Sequence, residues 1–177
     1  MEYWDIYDRW GNPTGRCVKK GEPLQEDEFH LAAELWLLDD RSRILVQQRS
    51  EDCEILPGIW GLTTGRMQAG EDTRTGCVRE AREELGLLLS PAELKWRYRV
   101  ARTDGTHLIW DIYTARCNRP ESDFQLQSAE VSQVKWVDRA EFEGMLEQGV
   151  MFHYPEIEEI LDMALSQEDR GDPGHGA

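Results

Sequence analysis

Residues 65–87 read GRMQAGEDTRTGCVREAREELGL and carry the strongest pattern in the chain. Asp72 or Thr73 is a suitable helix N-cap and Gly86 a suitable C-cap, so the pattern predicts a helix from about Thr73 to Leu85. At about 100° per residue, such a helix has one apolar arc and one acidic arc. The apolar arc contains Cys77, Val78, Ala81 and Leu85, and the acidic arc contains Glu80, Glu83 and Glu84. We expect the apolar arc to pack on a core.

The acidic arc places carboxylates at positions i, i+3 and i+4, where like charges oppose helix formation by roughly 0.2–0.5 kcal/mol per pair. Three basic residues of the helix can balance part of this repulsion: Arg74, Arg79 and Arg82. One interpretation of the arc is a solvated acidic face. A metal site is the other interpretation. It is favoured by the glycine-rich segment before the helix, by the separate Glu71 and by Arg79. Clustered carboxylate oxygens suit hard cations, so we predict Mg2+ or Mn2+ as the cofactor.

The same stretch resembles the Nudix box, in which Gly is followed by five residues, Glu, seven residues, Arg-Glu-x-x-Glu-Glu-x-Gly and an aliphatic residue. The matching residues are Gly65, Glu71, Arg79, Glu80, Glu83, Glu84, Gly86 and Leu87. Ala81, where a larger aliphatic residue is common, is a mild departure. The resemblance implies a Nudix pyrophosphohydrolase. Such an enzyme uses a divalent metal to cleave the phosphoanhydride bond of a nucleoside diphosphate linked to another group.

The resemblance also implies roles for single residues. Glu80, Glu83 and Glu84 would be metal ligands, and the backbone carbonyl of Gly65 would add another. Arg79 would orient a glutamate through a charge-assisted hydrogen bond. Glu80, Glu83 and Arg79 are accordingly candidate catalytic residues as well.

Two acids outside the acidic arc are candidates for supporting roles. Glu71 would either support the metal site or complement the helix macrodipole. Glu130 lies six residues before Trp136, and in several Nudix enzymes a glutamate in a comparable loop binds metal or serves as the general base. A general base must come within hydrogen-bond reach of the water that it deprotonates. Glu130 is therefore a catalytic candidate, with an ordinary loop acid as the alternative.

Substrate specificity should come from residues outside the box. Aromatic rings can stack on a base, and the candidates are Phe29, Trp36, Trp60, His107 and Trp110. Arginines can meet phosphate or a terminal sugar group, and the candidates are Arg49, Arg66, Arg99 and Arg102. From these we select Trp110, His107 and Arg66 as substrate residues. The alternatives are core packing for the rings and solvated surface for the arginines.

The segment before the box resembles the isopentenyl-diphosphate isomerase branch of the same superfamily. The matching stretches are WDIYD and GNPTGR near the start, then FHLAAELWLLDD, ILVQQRS and LPGIWGLTTG. Isomerases need a cysteine and an acid beside the carbon skeleton, and these positions align with Gly65 and with the neighbourhood of Leu108. The isomerases also lack the complete Arg-Glu-x-x-Glu-Glu pattern. We therefore favour a hydrolase, with an isomerase or a non-catalytic Nudix binding module as alternatives.

Composition favours one catalytic domain that acts on small molecules. The chain has 177 residues, 40% of them hydrophobic, and a formal net charge of −15. This length suits a single core over residues 1–166, and residues 167–177 read as a flexible tail. The charge argues against nucleic-acid polymers as partners. It does not exclude a nucleoside diphosphate derivative, because bound metal reverses the local field.

Several patterns bear on the environment of the protein. The four cysteines form no C-x-x-C pair and indicate reduced thiols. The sequence contains no apolar run long enough to span a membrane and no signal peptide. These features predict a cytoplasmic protein without membrane contact. The family resemblance adds a homodimer as an expected partner state.

The remaining elements predict an α/β fold. Strands are expected at 3–7, 30–38, 43–48, 94–102, 106–117 and 131–137, and helices at 138–148 and 155–166. Residues 54–65 contain too many glycines and prolines for a helix, and residues 19–28 read as a polar connector. Strands on both sides of one helix, followed by two helices, predict a mixed β-sheet sandwiched between helices, which is the Nudix fold.

Overall fold

The computed structural model describes residues 2–166 of the chain, and the predicted tail at 167–177 lies outside the described residues. Within that range the chain forms nine strands and three helices. The strands are β1 (Tyr3–Tyr7), β2 (Pro13–Lys19), β3 (His30–Leu38), β4 (Ile44–Arg49), β5 (Trp60–Gly61), β6 (Thr63–Arg66), β7 (Lys95–Ala101), β8 (Leu108–Arg116) and β9 (Val131–Val137). The helices are α1 (Thr73–Leu85), α2 (Arg139–Glu147) and α3 (Ile157–Leu165).

Seven of these strands form one mixed sheet. Its order is β5-β4-β3-β8-β7, with β6 paired to β3 and β9 paired to β4. The β3–β8 pair is parallel and the other pairs are antiparallel. Since β3 is buried over its whole length, the centre of the sheet must be covered on both faces.

The two faces of β3 face two different cores because side chains alternate along a strand. One face packs against α1 and contributes Leu31, Ala33, Leu35 and Leu37. The other contributes Ala32, Trp36 and Leu38 and packs against residues of α2 and α3. The sheet is therefore sandwiched between helices, which confirms the predicted fold class.

Helix α1 begins and ends where the sequence predicts. The Asp72 side chain caps it by accepting a hydrogen bond from the backbone N–H of Thr75 at 2.7 Å. Gly86 ends it at φ 63°, a left-handed conformation that favours glycine. Cys77, Ala81 and Leu85 are buried against the sheet, as expected for the apolar arc.

The hairpin of β1 and β2 was only half predicted. Strand β1 is confirmed, whereas β2 falls in a stretch that the sequence pattern left unassigned. Of the seven β2 residues only Val18 is buried, so the strand lacks the alternation by which strands are recognised. The hairpin contacts the loop that leads into α1. The N–H of Ala69 donates to the Tyr3 carbonyl at 2.8 Å and the N–H of Gly70 to Asp5 at 2.7 Å.

None of the helices within residues 2–166 is long and apolar enough to cross a membrane.

Candidate metal and active site

The three acids of the predicted metal site lie at three different depths. The Glu83 side chain is 43% exposed and the Glu80 side chain is 17% exposed. Glu84 is buried, with only 6% of its surface exposed. The acidic arc therefore runs from solvent into the protein, and its carboxylates are solvated to different extents.

Arg79 connects the acids at the surface of α1. Its guanidinium donates two hydrogen bonds to Glu71, at 2.7 and 2.9 Å. The Nη1 atom also donates to Glu80 at 2.8 Å and to Glu83 at 3.1 Å. The hydrogen bonds to Glu71, and next the charge of Glu80, raise the pKa of Arg79 further above its ordinary value. Glu71 thus contacts the arginine directly, which favours support of the site over a helix-dipole role alone.

Glu84 is held by a neutral partner instead of a cation. Gln47 Nε2 donates to Glu84 Oε2 at 2.8 Å, and Thr63 Oγ1 donates to Gln47 Oε1 at 3.0 Å. Burial raises the pKa of Glu84 to about 8 although the Gln47 hydrogen bond lowers it, and the charges of Glu80 and Glu130 raise it further. Negative charge is therefore concentrated around a buried carboxyl group, and a bound cation would relieve it.

Gly65 brings the backbone of β6 against α1. A Cβ at this position would overlap the carboxyl group of Glu80, so another residue type would displace that carboxylate. Strand pairing of Gly65 with Ala33 fixes this approach. Burial raises the pKa of Glu80, and the positive charge of Arg79 opposes the shift.

Within residues 2–166, no three His, Cys, Asp or Glu side chains are placed so that they could share one metal ion. In this arrangement Arg79 binds both Glu80 and Glu83. The chemistry of the donors nevertheless suits a hard divalent cation, because carboxylate oxygens lie beside a backbone that only glycine allows to approach. The ligand roles of these residues stay predictions.

Glu130 lies beside the C-terminal half of α1. Its N–H donates to the Gln127 carbonyl at 2.8 Å, and the N–H of Gln127 donates to the Glu84 carbonyl at 3.0 Å. The charge of Glu130 raises the pKa of Glu84, and the charge of Arg49 lowers it. Glu130 is thus near the buried carboxyl group, and its role as a general base stays a prediction.

The aromatic residues predicted to bind substrate lie in different environments. Trp36 and Trp110 are core residues with 0% and 5% of their surface exposed. Phe29 is also buried, whereas Trp60 and His107 are half-buried. The burial of Trp36 and Trp110 favours packing over base stacking.

The candidate arginines also differ in their partners. Arg99 donates two hydrogen bonds to Asp111, at 2.7 and 2.8 Å, and Arg102 pairs with Glu156 at 2.7 Å. Arg66 is exposed at the end of β6, and its guanidinium lies 5.0 Å from the centre of the Trp4 ring. Of these three, Arg66 lies next to the box glycine, and no carboxylate among residues 2–166 is bound to its side chain.

A cavity of about 670 Å³ lies away from the acids of the box. It includes two of the predicted stacking residues. Its lining residues are Arg9, Glu26, Asp27, Phe29, Thr103, Gly105 and His107.

Sequence reasoning missed two buried polar residues that contact α1. Asp111 is fully buried and accepts a hydrogen bond from Thr73, the first residue of α1, at 2.6 Å. Its signal was a single acid inside the apolar run LIWDIYTAR. Gln47 gave a weaker signal, because Gln48 beside it looks the same in sequence.

A family model described as the NUDIX domain matches residues 28–160. Among curated relatives, an uncharacterized Nudix hydrolase of Listeria monocytogenes is 26% identical over 164 residues, covering 92% of this chain and 95% of that protein. An isopentenyl-diphosphate Delta-isomerase of Shigella boydii is 30% identical over 137 residues, covering 74% of each. The predicted resemblance to both groups is confirmed.

Solved structures share the fold. DR0079 from Deinococcus radiodurans gives a TM-score of 0.73 at 17% identity, covering 92% of this chain and 99% of that one. The NUDIX domain of Shewanella oneidensis NrtR, complexed with ADP ribose, gives a TM-score of 0.57 at 21% identity, covering 76% of this chain and 84% of that one. A C. elegans Ap4A hydrolase binary complex gives a TM-score of 0.56 at 21% identity, covering 75% of this chain and 93% of that one.

The sandwiched mixed sheet and the complete box helix define a Nudix-type domain. The chain belongs to the Nudix family, and this membership together with its Nudix hydrolase relatives supports a pyrophosphohydrolase.

Proposed function

We propose that this protein hydrolyses a phosphoanhydride bond in a nucleoside diphosphate linked to another moiety, with Mg2+ or Mn2+ bound at α1. The observation that carries the proposal is the placement of Glu80, Glu83 and Glu84 on α1, where Glu80 lies against Gly65 and Glu84 is buried with Gln47 as its hydrogen-bond partner. The charges of Glu80 and Glu130 also help to raise the pKa of Glu84. Several acids kept together at this electrostatic cost indicate a site for a cation. When bound, such a cation neutralises the diphosphate and makes a coordinated water more acidic.

The side chains have separate tasks in this proposal. Glu80, Glu83 and Glu84, with the carbonyl of Gly65, hold the cation. Arg79 fixes the directions of the Glu80 and Glu83 carboxylates through the hydrogen bonds described above. Because the acids would hold a cation, the site suits a substrate that is an anion.

Two further residues extend the proposed site. Glu130 accepts the proton of the attacking water, directly or through one intermediate water. Arg66 contacts the phosphate or the terminal group from the end of the strand that carries Gly65, where it is an exposed residue.

Support for the substrate class comes from the net charge of the chain and from structural neighbours. One neighbour is complexed with ADP ribose and another is an Ap4A hydrolase, and ADP ribose and Ap4A are both small nucleotide derivatives with linked phosphates. The net charge of −15 argues against a nucleic-acid polymer. We therefore expect a capped nucleoside diphosphate as substrate.

A substrate panel tests the proposal. Nucleoside triphosphates, ADP-ribose, dinucleoside polyphosphates and nucleotide sugars would be incubated with Mg2+ or Mn2+, and phosphate would be measured after coupling to a phosphatase. We expect metal-dependent release with at least one class. No release from any class with either metal would contradict the proposal.

The isomerase relatives make prenyl-diphosphate isomerisation the second candidate. Neither Gly65 nor its neighbours Thr64 and Arg66 is a cysteine, and no acid stands at Leu108. We therefore expect no exchange of deuterium from solvent into isopentenyl diphosphate. Exchange at a useful rate would favour the isomerase instead.

A further inference from the structure

Gln47 and Thr63 form a hydrogen-bonded connection to Glu84 from two strands that both pair with β3. Gln47 lies on β4 and Thr63 on β6, and both side chains belong to buried residues. The Gln47 NH2 group faces Glu84 and donates to Oε2 at 2.8 Å, which suits the ionised carboxylate that metal binding requires, because that form has only acceptors. The amide carbonyl then faces the Thr63 hydroxyl, which donates to it at 3.0 Å.

The connection fixes Glu84 in a different way from the other acids. Arg79 orients Glu80 and Glu83 and cancels part of their charge at the same time. Gln47 is neutral, so it orients Glu84 without cancelling the negative charge that the carboxylate carries in its ionised form. Because both supporting residues lie on strands of the central sheet, the direction of the Glu84 carboxylate is set by a rigid part of the fold.

We propose that Gln47 is a positioning residue for the metal site, and that Thr63 fixes the amide of Gln47 so that it donates to Glu84. The inference rests on the proposed function, because it assigns a purpose to the direction in which Glu84 is held. Residues that orient a metal ligand in this way typically change metal affinity or activity 10–100-fold when replaced.

The test compares three variants with the wild-type protein. Gln47→Met keeps the length of the side chain and removes its donor, whereas Thr63→Val keeps the shape and removes the hydroxyl. Gln48→Met is the matched control, because the neighbouring Gln48 amide donates to the Gly58 carbonyl at 2.8 Å and not to Glu84. For each, the Mn2+ dissociation constant is measured on metal-free protein by calorimetry, beside kcat, KM and the thermal melting of the apo-protein.

We expect Gln47→Met to weaken Mn2+ binding about tenfold and to lower kcat about 10–100-fold, with little change in KM. Thr63→Val should give a smaller loss in the same direction, because the amide remains but loses its fixed orientation. Gln48→Met should bind Mn2+ like the wild type. If Gln47→Met does not fold, as judged by circular dichroism, the Thr63→Val affinity decides alone.

A double-variant cycle separates positioning from a general loss of structure. If Gln47 acts through Glu84, Gln47→Met should weaken Mn2+ binding much less in a Glu84→Gln background than in the wild type. The inference would be overturned if the losses in Mn2+ affinity caused by Gln47→Met and Glu84→Gln added fully in the double variant. Wild-type Mn2+ affinity in both Gln47→Met and Thr63→Val would also overturn it. Either result would leave the proposed function intact. A wild-type protein that binds no Mn2+ would overturn both.

Discussion

Glu84 and Glu34 are buried acids on the two sides of one sheet, and they differ in what surrounds them. Burial raises the pKa of both, to about 8 for Glu84 and about 7 for Glu34. Glu34 accepts hydrogen bonds from Tyr154 at 2.6 Å and from Trp36 at 2.7 Å, inside the core beneath α3. Glu84 has one amide donor and two acidic neighbours. Glu34 is therefore satisfied by its own fold, whereas the negative charge around Glu84 is opposed by Arg49, and a bound cation would balance it further.

Metal removal should show the largest difference between the two sites. If the α1 site holds catalytic Mg2+ or Mn2+, treatment with a chelator should abolish hydrolysis, and adding either metal back should restore it. The melting temperature of the metal-free protein, which includes the core around Glu34, should be the same with and without the chelator. Turnover that persists unchanged after metal stripping would show that the site is assigned wrongly.

Substitution of single acids should give the next largest effect. Glu83→Gln removes a charge from a group of mutually repelling acids, and Glu84→Gln replaces a buried carboxyl group whose pKa is about 8 by a neutral group of similar size. In both cases the apo-protein should melt at the same or a higher temperature. Hydrolysis with metal should fall about a hundredfold or more, since ligands matter at least as much as the residues that orient them. Glu34→Gln is the matched control for a buried acid outside the site and should keep most of the activity. Box variants that keep most of the wild-type rate would refute the ligand roles.

The titration of Glu34 should be measurable in the pH dependence of the free energy of unfolding. Its pKa is about 7 in the folded protein against 4.5 for an ordinary glutamate, so the folded state binds the proton more tightly. The resulting stabilisation is complete below pH 4.5 and is lost as the pH rises to about 7. In magnitude it is at most on the order of 3 kcal/mol. The hydrogen bonds from Tyr154 and Trp36, and next the positive charge of Arg102, oppose the shift.

Glu34→Gln keeps an acceptor oxygen for Tyr154 and Trp36 but cannot titrate. Urea unfolding of wild type and variant between pH 4.5 and 8 should therefore show a flatter curve for the variant. Contributions from Glu84 are common to both proteins and cancel in the difference. Parallel curves would mean that Glu34 does not titrate in this range.

The smallest effect should come from the helix caps. Asp72 caps α1 and Asp138 caps α2 in the same way, each through a backbone N–H of the first turn. Replacing either by Ala should lower the free energy of unfolding by about 1 kcal/mol, measured by urea titration. Only Asp72→Ala should also lower kcat, because α1 carries the box acids. Equal effects of both substitutions on kcat would mean that the position of α1 does not matter for catalysis.

The sequence predicted elements well where a periodic pattern met clear caps. The bounds of α1, β1, β3 and β9 were correct, and Gly86 was the predicted C-cap. Strand β2 was missed because its exposed side chains give no alternation. The sequence also placed Glu80, Glu83 and Glu84 on one arc but could not give their depth. That depth depends on how α1 packs against β3 and β6 and on the contact of Glu84 with Gln47 of β4, and the helical spacing of the acids contains neither.

The hairpin of β1 and β2 precedes residue 28, where the match to the family begins. It supplies the acceptors for the Ala69 and Gly70 amides in the loop before α1. A shortened chain of residues 28–160 would keep the complete box but leave those two amides to water. Amide hydrogen exchange at these positions would therefore report whether the hairpin stays docked, independently of any substrate.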